Sequence, residues 1–187
     1  TLEADMMPKP EVKRRNKVVV LRFYKRETYT PERKPSIKGF FRRIKTFFPC
    51  RAGEITVEEL ENLILETFGS DYRYHILLSD EKYRIITKGD MEELLKKDDT
   101  NTYTYVPTYF DCDDYADVLL GCLTKKTYPQ GFALGEIWWY CSEFGHAQNT
   151  FCDGEKIYIV EPQTDEITTW SDIKKKHPDA KAFMVKF

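Results

Sequence analysis

Apolar positions recur with two periods along this chain, and the switches between them outline its elements. Lys17 to Tyr24 holds Val18-Val19-Val20-Leu21, a β-branched run that predicts a strand. In residues 36–48, Ile37, Phe40, Phe41, Ile44, Phe47 and Phe48 return every three or four positions with Lys and Arg between them. That spacing predicts a basic amphipathic helix stopped by Pro49. Thr56-Val57-Glu58-Glu59 is a capping box, and Val57, Leu60, Leu63, Ile64 and Phe68 continue one apolar face to Gly69. Strands are expected at 72–78 and 82–87, a short helix from Asp90 through Leu95, and a helix opening at Asp111-Cys112-Asp113-Asp114. Beyond it come strands at 132–140, 146–152 and 156–161, a short helix at 168–176 and a last strand at 182–187. Helices first and a largely antiparallel sheet after them is an α+β plan.

Charge divides the chain where the pattern does not. Residues 1–51 carry 15 Lys+Arg against 5 Asp+Glu, and the rest carries 14 against 26. Such a split lets one half dock on the other, or aims the basic half at an anionic partner, a nucleic acid or a lipid surface. The helix at 36–48 serves either purpose, as a surface contact or as an element packed on the domain. The expected division is a basic extension over 1–50, with residues 1–16 as a polar tail, and a folded domain over 51–187. A content of 41% hydrophobic and 14% aromatic residues is enough for a packed core. No apolar run approaches the ~20 residues of a membrane span. Five cysteines without regular spacing favour free thiols and a reducing, cytoplasmic setting.

The chemistry concentrates in three places. Cys112 stands at a helix start, where partial positive charge and free N–H groups favour a thiolate. His146, behind Gly145, opens one strand, and Glu161 closes the next. A tight hairpin centred near Asp153-Gly154 would set His146 opposite Glu161, so that the carboxylate orients the base. Asp111, Asp113, Asp114 and Asp117 oppose a thiolate by like-charge repulsion, which a hard cation such as Ca²⁺ or Mn²⁺ would cancel. The spacing fails an EF-hand loop, and a solvated acidic helix start is the other reading. Gln148 is a candidate oxyanion donor, and Asn149 either orients substrate or caps the strand. A zinc site from Cys141, His146 and Cys152 lacks a CxxC pair, and strand alternation would scatter its ligands. His75 and His177 read as structural and surface residues.

The segments Phe110-Asp111-Cys112-Asp113-Asp114-Tyr115-Ala116, Gly145-His146-Ala147-Gln148-Asn149 and Ile159-Val160-Glu161-Pro162-Gln163-Thr164-Asp165 resemble a papain-like cysteine protease domain. It is the kind found at the C-terminus of the Marasmius oreades agglutinin and in related phage and bacterial proteins. The resemblance spans roughly residues 55–170 and implies a papain-like fold and calcium-dependent cleavage of peptide or isopeptide bonds. It implies Cys112 as nucleophile, His146 as base and Glu161 as orienter, with Asp113, Asp114, Gln163 and Asp165 as metal ligands. No lectin repeats are present, so sugar binding is not part of what the resemblance implies. The alternative expectation is a catalytically silent, virion-type interaction module that holds an anionic partner through its basic N-terminal region.

Overall fold

The computed structural model describes residues 11–15, 17–22, 53–70 and 73–187. The expected helix at 36–48 lies outside them. Ten strands and four α-helices are described: β1 (Glu11–Arg15), β2 (Val18–Arg22), β3 (Glu54–Thr56), α1 (Val57–Phe68), β4 (His75–Leu78), β5 (Lys82–Arg84), α2 (Lys88–Leu95), α3 (Cys112–Thr127), β6 (Leu134–Tyr140), β7 (Gly145–Cys152), β8 (Ile157–Glu161), β9 (Glu166–Thr169), α4 (Trp170–Lys176) and β10 (Lys181–Lys186). Eight strands form one sheet in the order β1-β2-β4-β10-β6-β7-β8-β9, and β3 pairs with β5 apart from it.

This architecture corrects the papain-like α+β expectation. There is no helical half followed by a sheet half: a single large sheet recruits strands from both ends of the chain and dominates the molecule. It is mixed, because β4 runs parallel to both β2 and β10 while its other pairs are antiparallel. Residues 11–15, read as tail, are strand β1, paired with β2 from Glu11↔Arg22 to Arg15↔Val18. Their charge suits an edge strand, where Lys and Glu discourage pairing with another chain.

Each face of the sheet is covered. On one side α1 inserts Leu60, Ile64 and Phe68 against Ile76, Ile137, Ile159 and Val185, with Trp170 and Ile173 of α4 completing that core. On the other, Leu119 and Leu123 of α3 and Met91 and Leu94 of α2 meet Phe151 and Val160. Both helix starts are capped as the sequence requires. Thr56 Oγ1 accepts from Glu59 N while Glu59 accepts from Thr56 N at 2.8 Å. At α3, Asp111 N donates to Asp114 Oδ2 at 3.1 Å. Close approach fixes Gly135 in β6: a Cβ there would stand 1.9 Å from the carbonyl oxygen of Lys186 on β10.

The β7–β8 hairpin departs from the expected register. Asn149 pairs with Val160 and Cys152 with Ile157, which continues to Gln148 opposite Glu161. The loop is longer than a tight turn because Asp153 Oδ1 accepts from both Glu155 N and Lys156 N. Gly154 supplies the positive φ of 95° that this loop needs. His146 therefore sits two residues from Glu161's direct partner, on the same face of the sheet.

Candidate functional site

Strand alternation decides which side chains can meet. Asn149 Nδ2 donates to Ala116 O of α3 at 2.8 Å, so Asn149 and Ala147 lie under α3. Gln148 and His146 point to the opposite face. There Trp139 Nε1 donates to Gln148 Oε1 at 2.8 Å, Gln148 Nε2 donates to Glu161 Oε2 at 3.0 Å, and His146 Nε2 is 2.7 Å from the same carboxylate oxygen. Glu161 Oε1 accepts from Gln163 N at 3.2 Å. Burial disfavours the charged Glu161, but the bonds and charge of His146, with Gln163 and Gln148, outweigh it and hold its pKa below the ordinary value.

The expected pairing of His146 with Glu161 is thus present, while its link to Cys112 is not. No hydrogen bond joins Cys112 to His146; the sulfur instead meets the backbone N–H of Ala147. Burial raises the thiol's pKa above 9.0, and Asp111 and Asp113 raise it further against the Ala147 bond. A thiol in this state is protonated near neutrality, the wrong form for a nucleophile. Gln148 is held on both sides, its Oε1 accepting from Trp139 and one of its two N–H donors directed at Glu161. Asn149 is fully buried as an anchor for α3 rather than open to a ligand.

The carboxylates have tasks within the fold. Asp111 accepts from Thr108 N at 3.1 Å, and Asp114 serves the helix cap. Asp111 and Asp113 are bonded to one another, which raises the pKa of Asp113 and lowers that of Asp111, as a shared proton would. Among the described residues, the ligand atoms gathered within 4.8 Å are those of Asp111, Cys112 and Asp113. Asp113, Asp114 and Asp165 form no such group, since Asp165 accepts from Asn101 Nδ2 at 2.7 Å and lies near Asp98 and Lys126. Gln163 contributes its backbone N–H to Glu161. Asp113, Asp114 and Asp165 are therefore engaged separately in this arrangement.

The first turn of α3 and the ends of β6 and β7 enclose a cleft of about 290 Å³. Cys112 and Asp113 form one lip, His146 another, and Trp138, Tyr140 and Phe183 the apolar wall. Tyr140 and Phe183 are about half exposed, and Trp138 Nε1 is buried without a partner. Sequence reasoning missed these aromatics as a site; the signal was an aromatic run, Trp138-Trp139-Tyr140, continuing to the exposed end of a strand. A larger cavity of about 720 Å³ lies elsewhere, between the C-terminal half of α3 and β10, among side chains such as Leu120, Phe132 and Leu134. It adjoins none of Cys112, His146 and Glu161.

No helix among the described residues is long and apolar enough to cross a membrane. No protein-family model and no curated protein matches the chain. Solved structures do. Polyporus squamosus lectin, bound to the human-type influenza-binding epitope Neu5Acα2-6Galβ1-4GlcNAc, superposes with a TM-score of 0.57 at 22% identity, over 72% of this chain and 49% of its own. A complex named PSL1a–E64 gives the same TM-score and identity over 72% of this chain and 51% of its own. The chain thus spans about half the length of these matched chains. One of these names is that of a lectin and neither is that of the Marasmius agglutinin, and the resemblance drawn from the three segments is corrected accordingly. The expectation of a Cys-His-Glu hydrolase is corrected with it, on the lectin likeness and on the absence of a hydrogen bond between Cys112 and His146, which line one cleft. Likewise, nothing in these matches supports a peptide substrate or an anionic partner for residues 1–51. At this identity the likeness establishes the fold: this chain is built like part of a lectin chain.

Proposed function

We propose that the chain is a binding module and that the Trp138–Tyr140–Phe183 cleft is its carbohydrate site. One observation carries this reading: an aromatic wall beside an indole N–H that has no partner within the fold. Aromatic faces cover the C–H faces of a pyranose, and buried donors without partners are rare unless a ligand completes them. Cys112, His146 and the Asp113 carboxylate stand at the rim, within reach of sugar hydroxyls. Glu161 and Gln148 keep the His146 ring in place. Polyporus squamosus lectin, bound to a sialylated trisaccharide, supports a saccharide as the ligand class.

A glycan array followed by calorimetry on the full chain tests it. A saccharide is expected to bind, and Tyr140→Ala and Phe183→Ala, both at exposed positions, are each expected to weaken it about tenfold, or about 1.4 kcal/mol. Absence of glycan binding, or binding that both variants leave unchanged, overturns the proposal.

A further inference from the structure

The cover that α2 and α3 give the second side of the sheet stops short of β10, β4, β2 and β1. Helix α3 lies over β6 and β7, and the core beneath it takes no residue from those four strands. They alternate all the same. Val18, Val20, Ile76, Leu78 and Val185 turn toward α1 and are buried, so Val19, Leu21, Leu77 and Met184 turn to the other side. Leu21 stands opposite Leu77 on one strand and Val12 on the other, and Val19 and Met184 both flank His75. Phe183 meets the His75 ring at 6.2 Å. Val12 and Phe183 are 56% and 52% exposed, and the other four apolar side chains are half-buried. Neither core includes any of the six. A continuous apolar patch of this kind marks an interaction surface.

The course of the chain says what occupies it. The described chain leaves these strands at Arg22, opposite Leu78 at the end of β4. It resumes at Gly53, whose carbonyl accepts from Ile85 N at 3.1 Å beside β5. Tyr83 of β5 donates in turn to Phe187 O at 3.3 Å, just past the end of β10. Both ends of residues 23–52 therefore stand at one end of β2, β4 and β10. The first side of the sheet is already filled by α1 and α4, which leaves the second side open to this stretch.

We infer that the patch is the docking surface for residues 36–48 of the same chain. Ile37, Phe40, Phe41, Ile44, Phe47 and Phe48 supply an apolar stripe to match it. Lys38, Arg42, Arg43 and Lys45 fall on the opposite side of the same pattern, where water keeps them. At about 1.5 Å per residue, the helix expected from that pattern is about 20 Å long, and four strand axes span about 14 Å. One such helix crosses the patch. The four strands then gain a layer like the one that α3 gives β6 and β7.

p-Benzoylphenylalanine in place of Leu77, where the cavity of about 720 Å³ leaves it room, tests this in the full chain. Illumination is expected to cross-link it within one chain to a peptide from residues 36–48. A cross-link between two chains puts a second copy on the patch and overturns the inference, as does a cross-link to other residues or none. Phe41→Asp and Ile44→Asp place a charge in the stripe. Each is expected to lower the folding constant about tenfold and to speed hydrogen exchange in β2 and β4 while leaving β8 unchanged. Arg42→Ser, on the polar side, is expected to change neither. Wild-type urea midpoints and exchange rates in both stripe variants overturn the inference, and so does an equal loss in Arg42→Ser.

Discussion

Cys112 shows how one residue can look right in sequence and be set differently by its surroundings. A helix start favours a thiolate, yet this thiol is half-buried between Asp111 and Asp113 and its pKa is raised. With iodoacetamide, labelling of Cys112 is expected to be slow at pH 7 and to climb without a plateau up to pH 9 and beyond. Asp113→Asn removes one of the opposing charges and is expected to speed it a few-fold at pH 8. Cys152, fully buried and pushed to about 11, should label more slowly still. The decisive contrary result is a plateau below pH 7 that vanishes in His146→Ala. That would mean a thiolate paired with an imidazolium, and the binding-module proposal would go with it. The bond between His146 and Glu161 was legible from the chain because both ends of a hairpin could be found. That Cys112 bonds to the backbone of Ala147 and not to His146 was not, because it depends on strand parity: Ala147, not His146, faces the helix.

At the scale of elements, local rules carried most of what could be read. Thr56 and Glu59 wrote the start of α1, and alternation in Ile157 and Ile159 wrote β8. What sequence pattern missed was decided by distant partners or by side-chain bonds in loops. Asp153 lengthened the hairpin by gathering two backbone N–H groups, and β1 became a strand because β2 offered it an edge. Asn149 illustrates the same dependence. Taken alone it was a substrate group or a strand cap; in place it holds α3 to β7 through Ala116 O. Asn149→Ala removes that buried strand-to-helix bond while Ala116 O keeps its place in the helix ladder, with an expected cost of about 0.5–1.5 kcal/mol. Hydrogen exchange in the first two turns of α3 should accelerate more than in α1. Equal acceleration in both helices would show that Asn149 supports the whole fold rather than this attachment.

Across the whole molecule, the charge split along the chain takes physical form at Arg22. This residue ends β2, in the basic first part of the chain, and its guanidinium reaches into the acidic remainder. Nε and Nη2 donate to Glu61 Oε2 at 3.2 and 2.5 Å, and Nη1 donates to Glu58 Oε1 at 2.6 Å. The Arg22 side chain is 2% exposed and that of Glu61 is fully buried, so the bond to Glu61 works in a low dielectric while Glu58 remains at the surface. Helix α1 is thereby fastened to a strand more than thirty residues away, across the same face that carries Ile64 and Phe68. Removing one partner of a buried pair strands the other charge, which costs more than the pair contributes. Arg22→Ala is therefore expected to lower stability by about 3–5 kcal/mol, whereas Glu58→Ala, at the exposed end, should cost less than about 1 kcal/mol. Arg22→Met with Glu61→Leu, which replaces both charges by apolar groups, should recover most of the loss. Urea denaturation of the full chain measures all three variants. If the double variant is as unstable as Arg22→Ala, the stranded charge is not the cause, and the contribution of β2 to the fold lies in its backbone pairing with β4.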